Sequence, residues 1–250
     1  MISIHYEDGI ARITLQAPPL NILTRVVLRE LRSALDSVHS YSGVRVLLLR
    51  AEGKHFSAGA SVEEHLPAEF RAMLGDFETT ILALHEFPLP VIAAVQGRCL
   101  GGAFELVQAT DLIVAAEDAQ FGQPEINLGV IAPIGCALLP ARIGAARAAE
   151  LLYTGDVLSA QAAAQAGLVA RVVAAELLQD EALALAQRVA RHSATALRMT
   201  KQALRNASGS IRPGIAAALQ VYTDQVMATH DALEGLQAFV QKRTPQWSHQ

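Results

Sequence analysis

Cysteine is almost missing from this chain. Cys99 and Cys136 are too few for a disulfide framework, and neither sits in a CxxC spacing that would hold zinc, so both read as small buried packing residues. Lysine is scarce too: only Lys54, Lys201 and Lys242 accompany the arginines. The 20 basic and 24 acidic residues leave a net charge of −4, which excludes the basic stripe that a general nucleic-acid binder needs to displace counterions. Aromatics make up 5% of residues. No uncharged apolar run approaches the roughly 18 residues of a membrane span. The first ten positions carry acidic side chains and no apolar segment of a secretory signal, so a soluble, cytoplasmic protein is expected. No linker rich in Pro, Gly or Ser interrupts the chain, and no repeat is visible. What is present is a 52% apolar content over 250 residues, built mainly from Ala, Leu and Val. A folded chain of this size buries about 70% of its extended surface, enough for a core without staples.

The first half alternates strand and helix signals. Residues 3–7 and 10–15 read as strands around the Asp8-Gly9 turn. Residues 24–39 carry a helical apolar stripe, with Thr24 as N-cap. Residues 44–49 and 91–95 read as buried parallel strands, and 112–115 as a third. Residues 67–86 form a long amphipathic helix that stops before Pro88 and Pro90. Strands alternating with helices imply crossover units and a mostly parallel sheet. From about residue 145 helical spacing dominates, at 146–154, 160–165, 176–191, 194–206, 215–228 and 232–242, and 168–173 is the one strand expected there. We therefore divide the chain into an α/β core at 1–190 and a helical region at 191–250, packed on the core as a lid or an oligomer contact.

The common catalytic signatures are absent: no GxGxxG after a strand, Walker A, HExxH or GxSxG. Glu63-Glu64-His65 resembles a set of metal ligands, but adjacent side chains diverge, and a solvated loop or helix start is the simpler reading. Gly101-Gly102 is more informative. A glycine pair between a strand and a helix lets a ligand approach the backbone, where free N–H groups stabilise charge growing on a carbonyl oxygen. The same pair also serves a tight turn packed for helix–strand contact. Glu105 lies one turn into this helix, and Glu125 follows after an outgoing helix and a returning strand of similar length. Facing carboxyls split into an acid and a base, whereas two surface glutamates would do neither. Lys54-His55-Phe56-Ser57-Ala58-Gly59-Ala60-Ser61, just past a strand, offers a second N–H donor.

At these residues the chain resembles the crotonase (enoyl-CoA hydratase/isomerase) superfamily. The resemblance runs from Pro19-Leu20-Asn21-Ile22-Leu23 through Phe56-Ser57-Ala58-Gly59-Ala60, Leu100-Gly101-Gly102 and Phe121-Gly122-Gln123-Pro124-Glu125. It continues to Glu234-Gly235-Leu236-Gln237-Ala238-Phe239. It implies a spiral of β-β-α units with a helical C-terminal region that builds trimers or dimers of trimers. It also implies an acyl-CoA thioester as substrate and no cofactor, since CoA is part of that substrate. The Ala60 and Gly102 N–H groups become the oxyanion hole, and Glu105 and Glu125 the catalytic carboxylates. A retained pair favours a hydratase, with Glu105 activating water and Glu125 handling the α-carbon proton. An isomerase is the rival, and a non-catalytic scaffold or RNA-binding module the reading from another class.

Within the family the resemblance leans toward the cyclohexa-1,5-diene-1-carbonyl-CoA hydratases of anaerobic benzoyl-CoA breakdown, and straight-chain enoyl-CoA hydratases are the alternative. Ser61 replaces a customary Asp, and the run Ala132-Pro133-Ile134-Gly135-Cys136 replaces a Gly-rich one beside the acyl site. Ala103, where a third glycine is common, is expected to narrow the hole. Leu23, Ala58, Ser61, Val62, Gly101, Pro133 and Phe239 are expected against the substrate. Lys54 and Lys242 read either as anchors for CoA phosphates or as solvated surface lysines.

Overall fold

The structure, a computed structural model, describes residues 1–249. Strands β1 (Ile2–Glu7) and β2 (Ile10–Leu15) form a hairpin around Asp8-Gly9, in register from Ile2↔Leu15 to Glu7↔Ile10. Helix α1 (Arg25–Ser40) begins where the Thr24 hydroxyl accepts the Val27 N–H. Its buried stripe is Val27, Leu28, Leu31, Ala34, Leu35 and Val38. Strand β3 (Val46–Ala51) starts two residues later than its apolar run suggests, because Val44 and Arg45 complete the crossover and the pairing with β2 begins at Ile10↔Val46. Helix α2 (Phe70–His85) likewise starts past Pro67. Asp76 on α2 binds Arg25, Arg29 and Arg32 of α1, locking the two helices together.

Strand β4 (Val91–Val95), short strand β5 (Arg98–Leu100) and helix α3 (Gly102–Gln108) follow in order. Strands β6 (Leu112–Ala116) and β7 (Gln120–Gly122) repeat the step, ending in a 3₁₀ segment at Pro124–Leu128 and helix α4 (Pro133–Ile143). Helix α5 (Ala145–Thr154), strand β8 (Val157–Ser159), helix α6 (Ala160–Gln165), strand β9 (Arg171–Val173) and helix α7 (Leu178–Ala190) complete the core. Helices α8 (Ala194–Ser208), α9 (Arg212–Asp224) and α10 (His230–Val240) close the chain.

Two sheets result, a six-stranded one in the order β1-β2-β3-β4-β6-β9 and a three-stranded one in the order β5-β7-β8. All neighbours in the large sheet are parallel except the first hairpin. The turns that begin at β3, β4 and β6 each lay one strand in the large sheet and a short stretch in the small sheet, then helix. Ser57 occupies the short-strand place in the earliest turn through its parallel bridge to Cys99. This is the β-β-α spiral that the resemblance implies.

The central strands are buried on both faces. Ile10, Val46, Leu48, Ile92, Ala94, Val114 and Ala116 face Leu178, Ala182, Ala186 and Ala190 of α7. Ile13, Leu15, Leu47, Leu49, Ala93, Val95, Ile113 and Ala115 face the larger core on the other side. Ile215, Leu219 and Tyr222 of α9 and Ala232 and Leu236 of α10 belong to that same larger core.

Three readings need correction. The expected strand at 168–173 shortens to β9, because Leu168 and Val169 form backbone bonds to Ala163 and turn into the core. It is also not alone in the second half, since β8 pairs antiparallel with β7. Cys136 is exposed, while Cys99 is buried as expected. Among the described residues no helix is long and apolar enough to cross a membrane.

Candidate active site

The spiral brings the ends of three successive turns to one place. Gly59 has φ +112, and a side chain there would meet the Leu100 carbonyl at 2.9 Å, so only glycine lets these two backbones touch. The next residue, Ala60, bridges Leu23, with Leu23 N–H donating to Gly59 O and Ser61 N–H to Leu23 O. Gly102 opens α3, and a Cβ on it would lie 3.2 Å from the Ala60 Cβ. Among the described residues neither the Ala60 nor the Gly102 N–H has a backbone or side-chain acceptor. Two unspent donors therefore sit side by side on the wall of one cavity of about 310 Å³.

Glu105 and Glu125 line the same cavity. Glu105 is buried in the first turn of α3, and its Oε1 accepts the Gly135 N–H at 2.7 Å from the start of α4. Burial raises its pKa from 4.5 to about 7, against the Gly135 and Ile134 N–H groups that favour its charge. Glu125 stands on the 3₁₀ segment, its carboxyl close over Gly101, whose φ of +54 has room for no side chain. Its pKa is raised well above 4.5, first by burial and then by the charge of Glu105. The two therefore titrate as a pair, the charge on one holding the proton on the other.

Buried Gln123 supports Glu125. With its amide oxygen accepting from Gln108 Nε2 at 3.0 Å, its nitrogen lies 3.1 and 3.2 Å from the two Glu125 oxygens. The rest of the wall is mostly apolar, with Met73, Leu74 and Phe77 from α2, Leu128 and Val130 after Glu125, and Phe239 from α10.

Residues 5–250 match the enoyl-CoA hydratase/isomerase family. The chain belongs to that family. It is 38% identical over 249 residues to the cyclohexa-1,5-dienecarbonyl-CoA hydratase of Thauera aromatica, covering 97% of this chain and 94% of that protein. It is 37% identical over 243 residues to the 2,3-dehydroadipyl-CoA hydratase of Escherichia coli, covering 96% and 95%. Among solved structures, an enoyl-CoA hydratase from Mycobacterium avium subsp. paratuberculosis superimposes with a TM-score of 0.88 at 27% identity, over 99% of this chain and 98% of that one. One from Bacillus anthracis gives 0.80 at 35%, over 100% and 99%.

Within this enoyl-CoA hydratase/isomerase family member, Ala58, Ala60, Val62, Gly101, Gly102, Glu105, Glu125, Pro133 and Phe239 all reach the cavity wall. Four expected residues do not. Leu23 is fully buried behind Ala60, and Ser61 turns its hydroxyl to Glu63 at 2.9 Å. Lys54 and Lys242 are exposed and away from the wall. Ala103 is packed in the core and is not on the cavity wall. Glu63-Glu64-His65 is a 3₁₀ turn, and among the described residues no cluster of three or more His, Cys, Asp or Glu side chains could hold a metal.

Sequence reasoning missed His65, Gln123 and Tyr222. His65 and Tyr222 line the cavity, while Gln123 backs Glu125. Tyr222 continues the apolar spacing of Ile215 and Leu219, so only its hydroxyl marks it as more than core. Gln123 sits in a motif already singled out, two residues before Glu125.

Proposed function

We propose that this protein adds water to the double bond of an α,β-unsaturated acyl-CoA thioester. The observation that carries the reading is the meeting of two free backbone N–H groups and two coupled glutamates in one cavity. The thioester oxygen is held by the Ala60 and Gly102 amides, worth about 10²–10³-fold in rate for each donor where such holes are tested. Glu105, as carboxylate, takes a proton from water while the oxygen bonds to the β-carbon. The π pair of the double bond moves toward the thioester, and the resulting enolate is stabilised by the two amides. Glu125, protonated, then delivers its proton to the α-carbon. The substrate gains H and OH, Glu105 ends protonated and Glu125 ionised, and exchange with solvent restores the starting pair. An isomerase needs one carboxylate to carry a proton between carbons; a second on the same cavity favours hydration.

For the acyl group we favour a ring, cyclohexa-1,5-diene-1-carbonyl-CoA. The support is the atypical wall after Gly129, where Val130, Ile131 and Pro133 face the cavity, together with the likeness to the Thauera aromatica hydratase. The Escherichia coli relative is almost equally similar, so the test sets cyclohexa-1,5-diene-1-carbonyl-CoA, crotonyl-CoA and 2,3-dehydroadipyl-CoA side by side. The highest kcat/KM on the cyclic diene is expected. Turnover of crotonyl-CoA with none on the diene removes the ring, and hydration of none of the three removes the hydratase. The homotrimer or dimer of trimers belongs to the same proposal and is read by light scattering.

A further inference from the structure

The Tyr222 hydroxyl is buried and has no hydrogen-bond partner, although its ring lies on the cavity wall. A phenylalanine would fill this place in the α9 stripe without leaving a polar group unsatisfied, so the free protein gains nothing from the hydroxyl. Burial, and then the charges of Glu125 and Glu105, push its pKa up, so it stays a donor at every working pH. It nevertheless bonds to neither carboxylate. Both carboxylates nonetheless act on it by charge, and all three side chains line the one cavity. His65 stands beside it, the ring centroids 6.4 Å apart. The His65 Nδ1 lies 2.7 Å from the Ser61 carbonyl, which makes it the protonated nitrogen, and burial keeps the ring neutral. Apart from the glutamates and exposed Asn127, these two are the polar side chains on the wall among the described residues.

We propose that Tyr222, flanked by His65, is a polar subsite of the acyl cavity whose hydroxyl donates a hydrogen bond to the oxygen that hydration places on the acyl group. This rests on the hydratase reading above. An unsaturated hydrocarbon acyl chain offers the tyrosine no acceptor, whereas the incoming water oxygen and the product hydroxyl do. The contact forms as the new C–O bond forms, so it favours the transition state and product over the bound substrate. Tyr222 is thus a specificity-determining residue that distinguishes hydroxylated from plain acyl groups.

The test compares the wild type with Tyr222→Phe on two readouts. One is KM in the dehydration direction for the hydroxyacyl-CoA purified from the hydration assay. The other is the competitive inhibition constant of the matching saturated ester, cyclohexanecarbonyl-CoA or butyryl-CoA, which lacks that oxygen. The expected result is a KM for the hydroxyacyl ester raised about tenfold, as for a lost buried hydrogen bond, with the inhibition constant unchanged. A parallel rise in both makes Tyr222 a wall residue only and overturns the proposal, as does no change in either. A wild type that turns over no acyl-CoA is a different failure, that of the hydratase reading, and takes this subsite with it.

Discussion

Replacing Glu105 by Gln should cost activity and add stability, and the gain in stability should depend on pH in one direction. The carboxyl is 4% exposed, and burial lifts its pKa from 4.5 to about 7. Below about pH 4.5 both the folded and unfolded chains carry the proton, and the acid costs nothing. As pH rises the unfolded chain ionises freely while the folded chain resists, so stability falls until the folded pKa is passed. That difference corresponds to about 3 kcal/mol of lost stability at pH 8. Gln carries no charge to bury, and its oxygen still accepts the Gly135 N–H. Glu105→Gln should therefore melt about 6–12 °C above the wild type at pH 8 for a chain of this size, and no higher at pH 4.5. Hydration should fall by at least ~10²-fold. Differential scanning fluorimetry at the two pH values reads the first effect and a spectrophotometric assay the second. A Tm difference that is the same at both pH values, or a variant less stable at pH 8, would refute the account of Glu105 as a buried, reluctantly ionised base.

Three further outcomes follow from the same geometry. The profile of kcat/KM against pH should be a bell, rising through about pH 7 as the glutamate pair loses its first proton and falling at higher pH as it loses the second; a rate already at its plateau at pH 5 would contradict this. Gly101→Ala forces a side chain into φ +54 and sets a methyl 2.8 Å from Glu125 Oε1, so kcat should fall by at least ~10-fold and stability by about 1–3 kcal/mol, checked by steady-state kinetics and urea titration. Lys201 is buried and bonds the Leu89 carbonyl at 3.0 Å and Asp111 at 2.6 Å, so Lys201→Met should cost about 2–3 kcal/mol in urea titration while leaving kcat unchanged.

The long elements were readable because local pattern and tertiary burial agree in them. The stripe of α1 and its Thr24 cap, and the five buried residues of β4, follow directly from residue order. The small sheet was not readable: β5, β7 and β8 have three residues each, too few for a period, and exist because distant turns supply their partners. Helix α4 was hidden by Pro140, which the helix accommodates inside its span. The cluster of Ala60, Gly102, Glu105 and Glu125 was legible through recurring motifs. The His65 and Tyr222 pairing joins segments 157 positions apart, on a 3₁₀ turn and on α9, and no spacing rule links them. Lys54 and Lys242 are exposed, as either reading of them requires.

Helix α10 lies flush on the segment that carries Glu125: a side chain at Gly235 would overlap the Leu128 carbonyl, and one at Gly129 would crowd the Asp231 carbonyl. Tyr222 and Phe239 hang from α9 and α10 over the same chamber. A nascent chain that has emerged only to residue 190 would thus already hold Glu105, Glu125 and the Ala60 and Gly102 amides, yet lack Tyr222, Phe239 and the helix that packs on the Glu125 segment. The last sixty residues thus supply the part of the cavity wall that a shorter chain would leave open to water.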